Sequence, residues 1–273
     1  MALVQMNFES RYLNNNHEIS IILPDMPRDK TPAEFYGSGR KYKVLWLLHG
    51  TFGDHSDWIR KSNIELYACE KDLIVVMPSA LNSNYAEWAK FSIGFDMYHY
   101  LTEELMPLVY NWFPASDKRE DNFIAGLSMG GAGCMKIGLA NPENYAAIGC
   151  FSAGAVMRGN FFKSRPGYEE RQIMLYGAVD ADLTGTPEDI EGSVKRILDG
   201  KLPCPRIFHS VGSSDFAMES ALATKELFEA IPGNPFDYHF EEHPGAHTWE
   251  YWDEHIQDFL KFIDLKPVED IRN

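Results

Sequence analysis

The chain has 273 residues, 45% of them hydrophobic and 24% charged. That suffices for one domain with a sizeable core and excludes a disordered or fibrous chain. A net charge of −15 argues against nucleic acid, whose phosphates need basic patches, and against anionic membrane surfaces.

Val4, Met6 and Phe8 alternate with polar residues, as in a half-exposed strand. A second strand is expected over Glu18 to Leu23, ended by Pro24-Asp25. Asn14-Asn15-Asn16 is the turn between them, so the two form an antiparallel hairpin at one sheet edge. Residues Pro27 to Lys41 read as a surface loop. Val44 to Leu48 is apolar throughout, the mark of a strand buried on both faces of a parallel sheet. It runs into His49-Gly50-Thr51, and a helix follows near Ile64 to Cys69. Leu73 to Met77 is the next buried strand. A helix from about Phe95 to Trp112 is expected to be kinked or divided at Pro107.

Asn122 to Leu127 then reads as a buried strand that meets Gly126-Leu127-Ser128-Met129-Gly130-Gly131 and passes into a helix stopped at Asn141-Pro142. In a Gly-x-Ser-x-Gly elbow the serine sits on a sharp strand-to-helix turn and projects from the top of the sheet. Another buried strand covers Ala146 to Ser152. From Val156 to about Pro205 no strand pattern appears, and only Ile190 to Leu198 reads as a helix. Such a segment between two sheet strands is expected to cap the carboxyl edge of the sheet. Strand Arg206 to Val211, a helix over Ala217 to Ala230, strand Phe236 to Glu242 and a last helix over Trp249 to Ile263 complete the chain. Alternating strands and helices, with no internal repeat or linker, predict one α/β domain with a mostly parallel sheet and helices on both faces.

A serine hydroxyl needs a base, and the base needs a group to orient it. Two loops after later strands supply these types in the order Ser, Asp, His: Asp215 follows one strand and His247 the next. Asp215 is also a natural helix N-cap, and Asp180 and Asp182 in the inserted segment are its rivals. His239, His243 and His247 stand four apart, but Pro244 and Gly245 exclude a helix, so the spacing makes no zinc motif. His99 and His255 read as helix-surface residues and His209 as a core histidine. An oxyanion requires two donors: the N–H of Met129, at the positive end of a helix, and that of Thr51, freed to turn inward by Gly50. Phe52, Trp58, Tyr85, Trp88 and Phe91 either line an acyl or aromatic pocket or pack in the core. Cys69, Cys134, Cys150 and Cys204 show no CxxC spacing and are expected to be free thiols.

Leu47-Leu48-His49-Gly50, Gly-Leu-Ser-Met-Gly-Gly at 126–131, Gly-Ser-Ser-Asp at 212–215 and Gly-Ala-His-Thr-Trp at 245–249 together resemble the esterase D family. This group of α/β-hydrolases includes S-formylglutathione hydrolases, tributyrin, feruloyl and acetyl-xylan esterases, and mycolyltransferases. Asn144-Tyr145-Ala146-Ala147 and the Trp249-x-Tyr-Trp252 run bring it nearest the small tributyrin-type bacterial esterases. The resemblance implies an α/β-hydrolase fold with Ser128 as nucleophile, His247 as base, Asp215 as its orienter and Thr51 with Met129 as oxyanion donors. It implies a serine carboxylester hydrolase for short acyl or aryl esters, with acyl transfer or S-formylglutathione-type thioester hydrolysis as the alternative. No cofactor is expected, and the partner is a small-molecule ester, with a homo-oligomer left open. S-formylglutathione hydrolases carry a cysteine-containing stretch after His-Gly, where this chain reads Thr51-Phe52-Gly53-Asp54-His55. The amino terminus has neither a basic nor a long apolar signal region and no apolar run spans a bilayer, so a cytoplasmic location is expected.

Overall fold

The computed structural model describes residues 2–91, 94–155 and 163–268. Eight strands form one sheet in the order β1-β2-β4-β3-β5-β6-β7-β8. The first two, β1 (Ala2–Ser10) and β2 (Asn15–Leu23), are an antiparallel hairpin at one edge, and β2 also pairs antiparallel with β4 (Leu73–Pro78). All pairings from β4 onward are parallel: β3 (Lys43–Leu48), β5 (Asn122–Leu127), β6 (Ala147–Phe151), β7 (Arg206–Gly212) and β8 (His239–His243).

The unbroken apolar runs follow from the two cores. Side chains alternate across a strand, so Val44, Trp46 and Leu48 of β3 enter one core while Leu45 and Leu47 enter the other. Burying one such side chain contributes about 1.5–3 kcal/mol. The first core is covered by α6 (Met129–Ala140), α8 (Ile190–Gly200), α9 (Met218–Glu229) and the helical stretch that includes α4 (Met97–His99) and α5 (Met106–Trp112). The second is covered by α2 (Asp57–Lys61), α3 (Ile64–Cys69) and α10 (Trp249–Phe262). This is the α/β-hydrolase architecture.

Several local expectations need correction. The hairpin turn lies at 11–14, with Asn14 at φ 54°, and Asn15 and Asn16 are already in β2. Within the expected loop 27–41 stands α1 (Pro32–Tyr36), closed by a capping box between Thr31 and Glu34. At Pro107 the helix is interrupted, as expected, by a change of helical type rather than a break. The chain widens into a π turn over Tyr100–Leu105 and resumes as α5, which absorbs the N–H that proline cannot give. The last strand begins at His239, not Phe236: the Phe236 carbonyl still accepts from Ile207 of β7 at 3.0 Å, but Asp237, at φ 43°, turns the chain before the ladder starts.

The inserted segment holds a second helix, α7 (Tyr168–Tyr176), as well as α8; its residues 156–162 lie outside those described. The backbone carbonyls of Met174 and Leu175 accept from the N–H groups of Lys90 and Ala89, both at 3.0 Å. The guanidinium of Arg171 donates to the Asn82 carbonyl (2.6 Å) and to Asn84 Oδ1 (2.7 Å). Lys136, on α6 and only 4% exposed, bonds Glu188 Oε1 and the Asn84 carbonyl, each at 2.6 Å.

Candidate active site

The carboxyl ends of β3, β5, β7 and β8 bring together the loops that the sequence singled out. Ser128 stands between β5 and α6 with φ 53° and ψ −119°. For a residue with a Cβ this is strained backbone, costing about 1–3 kcal/mol. The surroundings hold it there. Its N–H donates to the Phe151 carbonyl at 2.8 Å and its carbonyl accepts from Ala132 at 3.0 Å. A Cβ on Gly126 would meet the backbone of Gly130 at 2.6 Å, and one on Gly130 would meet the carbonyls of Leu48 and His49 at 2.6 Å. The glycines of the motif are therefore set by strand-to-helix contact rather than by turn flexibility.

His247 Nε2 lies 2.9 Å from Ser128 Oγ, and its Nδ1 lies 2.9 and 3.1 Å from the two carboxylate oxygens of Asp215. With Nδ1–H donating to the carboxylate, Nε2 is left as acceptor for the serine hydroxyl. The Asp215 side chain is wholly buried and that of His247 is 18% exposed. Burial alone would raise the Asp215 carboxyl. Hydrogen bonds from His247, the Ala217 N–H and Ser152 outweigh it and hold the group below its ordinary value of 3.8. Asp215 does not serve as the N-cap of α9. Its Oδ1 accepts from Ala217 N–H at 2.8 Å in a turn just before the helix. Asp182 instead bonds Thr184 in the inserted segment.

Met129 is the first residue of α6, so its N–H has no acceptor within the helix. The loop bearing Thr51 lies against the same serine: a Cβ on Gly50 would be 3.3 Å from Ser128 Cβ. His49 fixes that loop. The Ala80 N–H donates to its Nε2 at 2.8 Å, so Nδ1 carries the proton and donates to the Gly50 carbonyl at 2.6 Å. Burial pushes the His49 imidazole below its ordinary value, which favours this neutral form. Tyr85 Oη donates to the His49 carbonyl and Trp58 Nε1 to that of Leu48, at 2.9 and 3.1 Å. These two aromatics are thus core residues that brace the loop. Phe52, 88% exposed, and Phe91 face outward.

Of three residues around His247, Trp252 appears in the sequence only as part of a family run, and Phe216 and Ser152 are not singled out. Phe216 packs on the imidazole with centroids 4.1 Å apart and planes tilted by 34°, and Trp252 meets it edge-on at 5.0 Å. Trp252 Nε1 donates to Ser152 Oγ at 2.8 Å, and Ser152 in turn bonds Asp215. The 3.6-residue periodicity of α10 places Trp252 on its buried side, but nothing in the spacing points to Ser152. His209 is the expected core histidine, with Tyr238 Oη and the Ala153 carbonyl as partners, both at 2.8 Å. His255 is buried, not on the helix surface. The cysteines described are free thiols.

Residues 10–263 match the family model for esterases described as "Putative esterase". The chain belongs to this esterase family. It is 28% identical to an acetyl esterase of Caldicellulosiruptor saccharolyticus, over 96% of this chain and 98% of that one. Among solved structures it is similar to the substrate-bound fluorophosphonate-binding serine hydrolase F of Staphylococcus aureus, with TM-score 0.82, 28% identity and coverage of 96% and 98%. An S-formylglutathione hydrolase from Staphylococcus aureus follows with TM-score 0.78, 28% identity and the same coverage. The esterase is of the serine-hydrolase type. Among the described residues no helix is long and apolar enough to cross a membrane.

Proposed function

We propose that this esterase cleaves esters of short acyl or aryl acids through an acyl-enzyme on Ser128. The observation that carries the assignment is the continuous line of hydrogen bonds from Asp215 through His247 to a serine held at positive φ. Ser128 Oγ attacks the ester carbonyl carbon while its proton passes to His247 Nε2. The carbonyl oxygen becomes an oxyanion that accepts from the N–H groups of Met129 and Thr51, each donor lowering the barrier by about 3 kcal/mol. The intermediate collapses, the alkoxide leaves with the His247 proton, and water then releases the acid by the same steps in reverse. Asp215 remains ionised and stabilises the imidazolium.

Phe216 against His247 offers an apolar wall for the acyl or aryl group. The name of the acetyl esterase relative favours a small acyl group. The chain forms one domain in this reading, with residues 155–205 as its cap, held by Arg171 and the Lys136–Glu188 pair. Free cysteines suit a cytoplasmic location.

The test is a panel of p-nitrophenyl acyl esters of increasing chain length with feruloyl and acetylated-sugar members. Acetate to butyrate esters are expected to be cleaved, and Ser128→Ala to lower kcat by about 10⁴-fold or more. Wild type that cleaves no member, or Ser128→Ala that matches it, sinks the reading. Thioester hydrolysis is the second reading, favoured by the likeness to the S-formylglutathione hydrolase. An acyl thioester in the same panel separates the two, and added sugars report acyl transfer in place of hydrolysis.

A further inference from the structure

We propose a second site, a metal-binding cluster of Glu241, His243, His255 and Asp258 that takes a divalent transition ion of the zinc class and ties β8 to α10. Each residue offers one donor atom, and the four atoms lie within 4.8 Å of one another. The placement follows from periodicity. Glu241 and His243 are two apart on a strand and share a face, whereas His255 and Asp258 are three apart on a helix and share a face. The imidazoles of His243 and His255 stack with centroids 4.3 Å apart and planes at 15°.

The carboxylates are oriented from outside. Glu241 Oε1 is held by His239 Nε2 at 2.8 Å, which leaves Oε2 facing His243 at 2.9 Å. Asp258 Oδ1 is held by Lys261 at 2.8 Å, which leaves Oδ2 facing His255 Nδ1 at 2.9 Å. Hydrogen bonds that fix ligand carboxylates in this way are the usual outer support of metal sites. Tyr251 adds a further brace: its ring packs on His255 at 4.2 Å and its hydroxyl bonds Ser210 Oγ at 2.6 Å.

Two imidazole nitrogens and two carboxylate oxygens match zinc and disfavour magnesium and calcium, which prefer oxygen donors alone. In a tetrahedral zinc site the donor atoms are about 3.3 Å apart, and the lone pairs of the two nearly parallel imidazoles do not converge, so binding an ion requires one ring to turn out of the stack while the carboxylates shift slightly. The nitrogens that bind must be unprotonated, so the ion displaces the protons now shared between each histidine and its carboxylate. The His247 loop runs from His243 to α10. An ion held by His243 before that loop and His255 after it closes the loop and restrains the presentation of His247. The site does not depend on the role given to Ser128.

The experiment uses EDTA-treated, dialysed full-length protein titrated with zinc chloride by calorimetry, with melting followed in parallel. His247→Ala serves as the background, because His247 and Asp215 are another histidine–carboxylate pair that zinc could meet. One zinc per chain is expected, with Tm raised by about 5 °C at a zinc concentration one hundred times Kd. Asp258→Asn and Glu241→Gln, on separate elements, should each weaken binding by about 10-fold or more, and magnesium should leave Tm unchanged. Absence of stoichiometric uptake in His247→Ala overturns the proposal. So does undiminished affinity in either carboxylate variant.

Discussion

The Ser128 elbow and the inserted segment at 163–205 both lie against α6, yet they are held in different ways. Around Ser128 the contacts are backbone on backbone. β5 is buried along its length, α6 presses its glycines on the carbonyls of β3, and the first turn of the helix is fixed on both sides. In the inserted segment α8 seats its apolar stripe in the first core, while α7 and the turn before α8 are joined by two backbone hydrogen bonds, from Ala89 and Lys90, and by long polar side chains, namely Arg171 on Asn82 and Asn84, and Glu188 on Lys136. Backbone contact fixes geometry to a fraction of an ångström. Long polar side chains fix only neighbourhood. A strained serine requires the first kind of support.

Three substitutions probe this contrast. Asp215→Asn strikes the site at its buried end and should lower kcat by about 10³- to 10⁴-fold on a p-nitrophenyl ester. The same variant has a pH signature. Because the folded carboxyl is held below its ordinary value of 3.8, its stabilisation is complete above that value and is lost as pH falls through the folded one. Melting temperatures of wild type and Asp215→Asn should therefore draw together as pH falls from about 5 to below 3. Persistent separation at the acid end would show that the carboxylate lends no stability. Gly130→Ala comes next. Its Cβ would meet two backbone carbonyls at 2.6 Å, so urea unfolding should show a loss of about 3 kcal/mol or no folded protein. A near-neutral result would mean that the elbow is looser than its contacts imply. Glu188→Gln is the mildest. It leaves Lys136 buried without its anion, yet Glu188 is itself partly exposed, so about 2 kcal/mol is expected, with turnover of a small acetate ester retained. A loss of turnover as large as that of Asp215→Asn would join the two regions into one functional unit.

The same contrast decided what could be read from sequence. Val44 to Leu48 and Leu73 to Met77 are legible because a strand buried on both faces must be apolar at every position. The positions of Ser128, Asp215 and His247 at strand ends followed from those strands. α8 was legible because Ile190, Val194 and Ile197 form a stripe, but α7 buries only Leu175 and so carries no period. His255 was misread although Tyr251, His255 and Phe259 stand four apart on one buried face of α10. Its polar type hid a position that the period gave. Ser152 left no trace, because its hydrogen bonds to Trp252 and Asp215 depend on the crossing of distant elements.

The bond between His247 and Ser128 spans 119 residues of chain. Synthesis proceeds at roughly 5–20 residues per second, so the elbow emerges from the ribosome roughly 6–24 s before its histidine. A nascent chain can pair β3, β4 and β5 and set the serine at its strained angle before the imidazole that it bonds has been made. On the roles proposed for Ser128 and His247, hydrolytic competence waits until β8 and α10 have been made, and a fragment lacking both is expected to be inert however well its elbow folds.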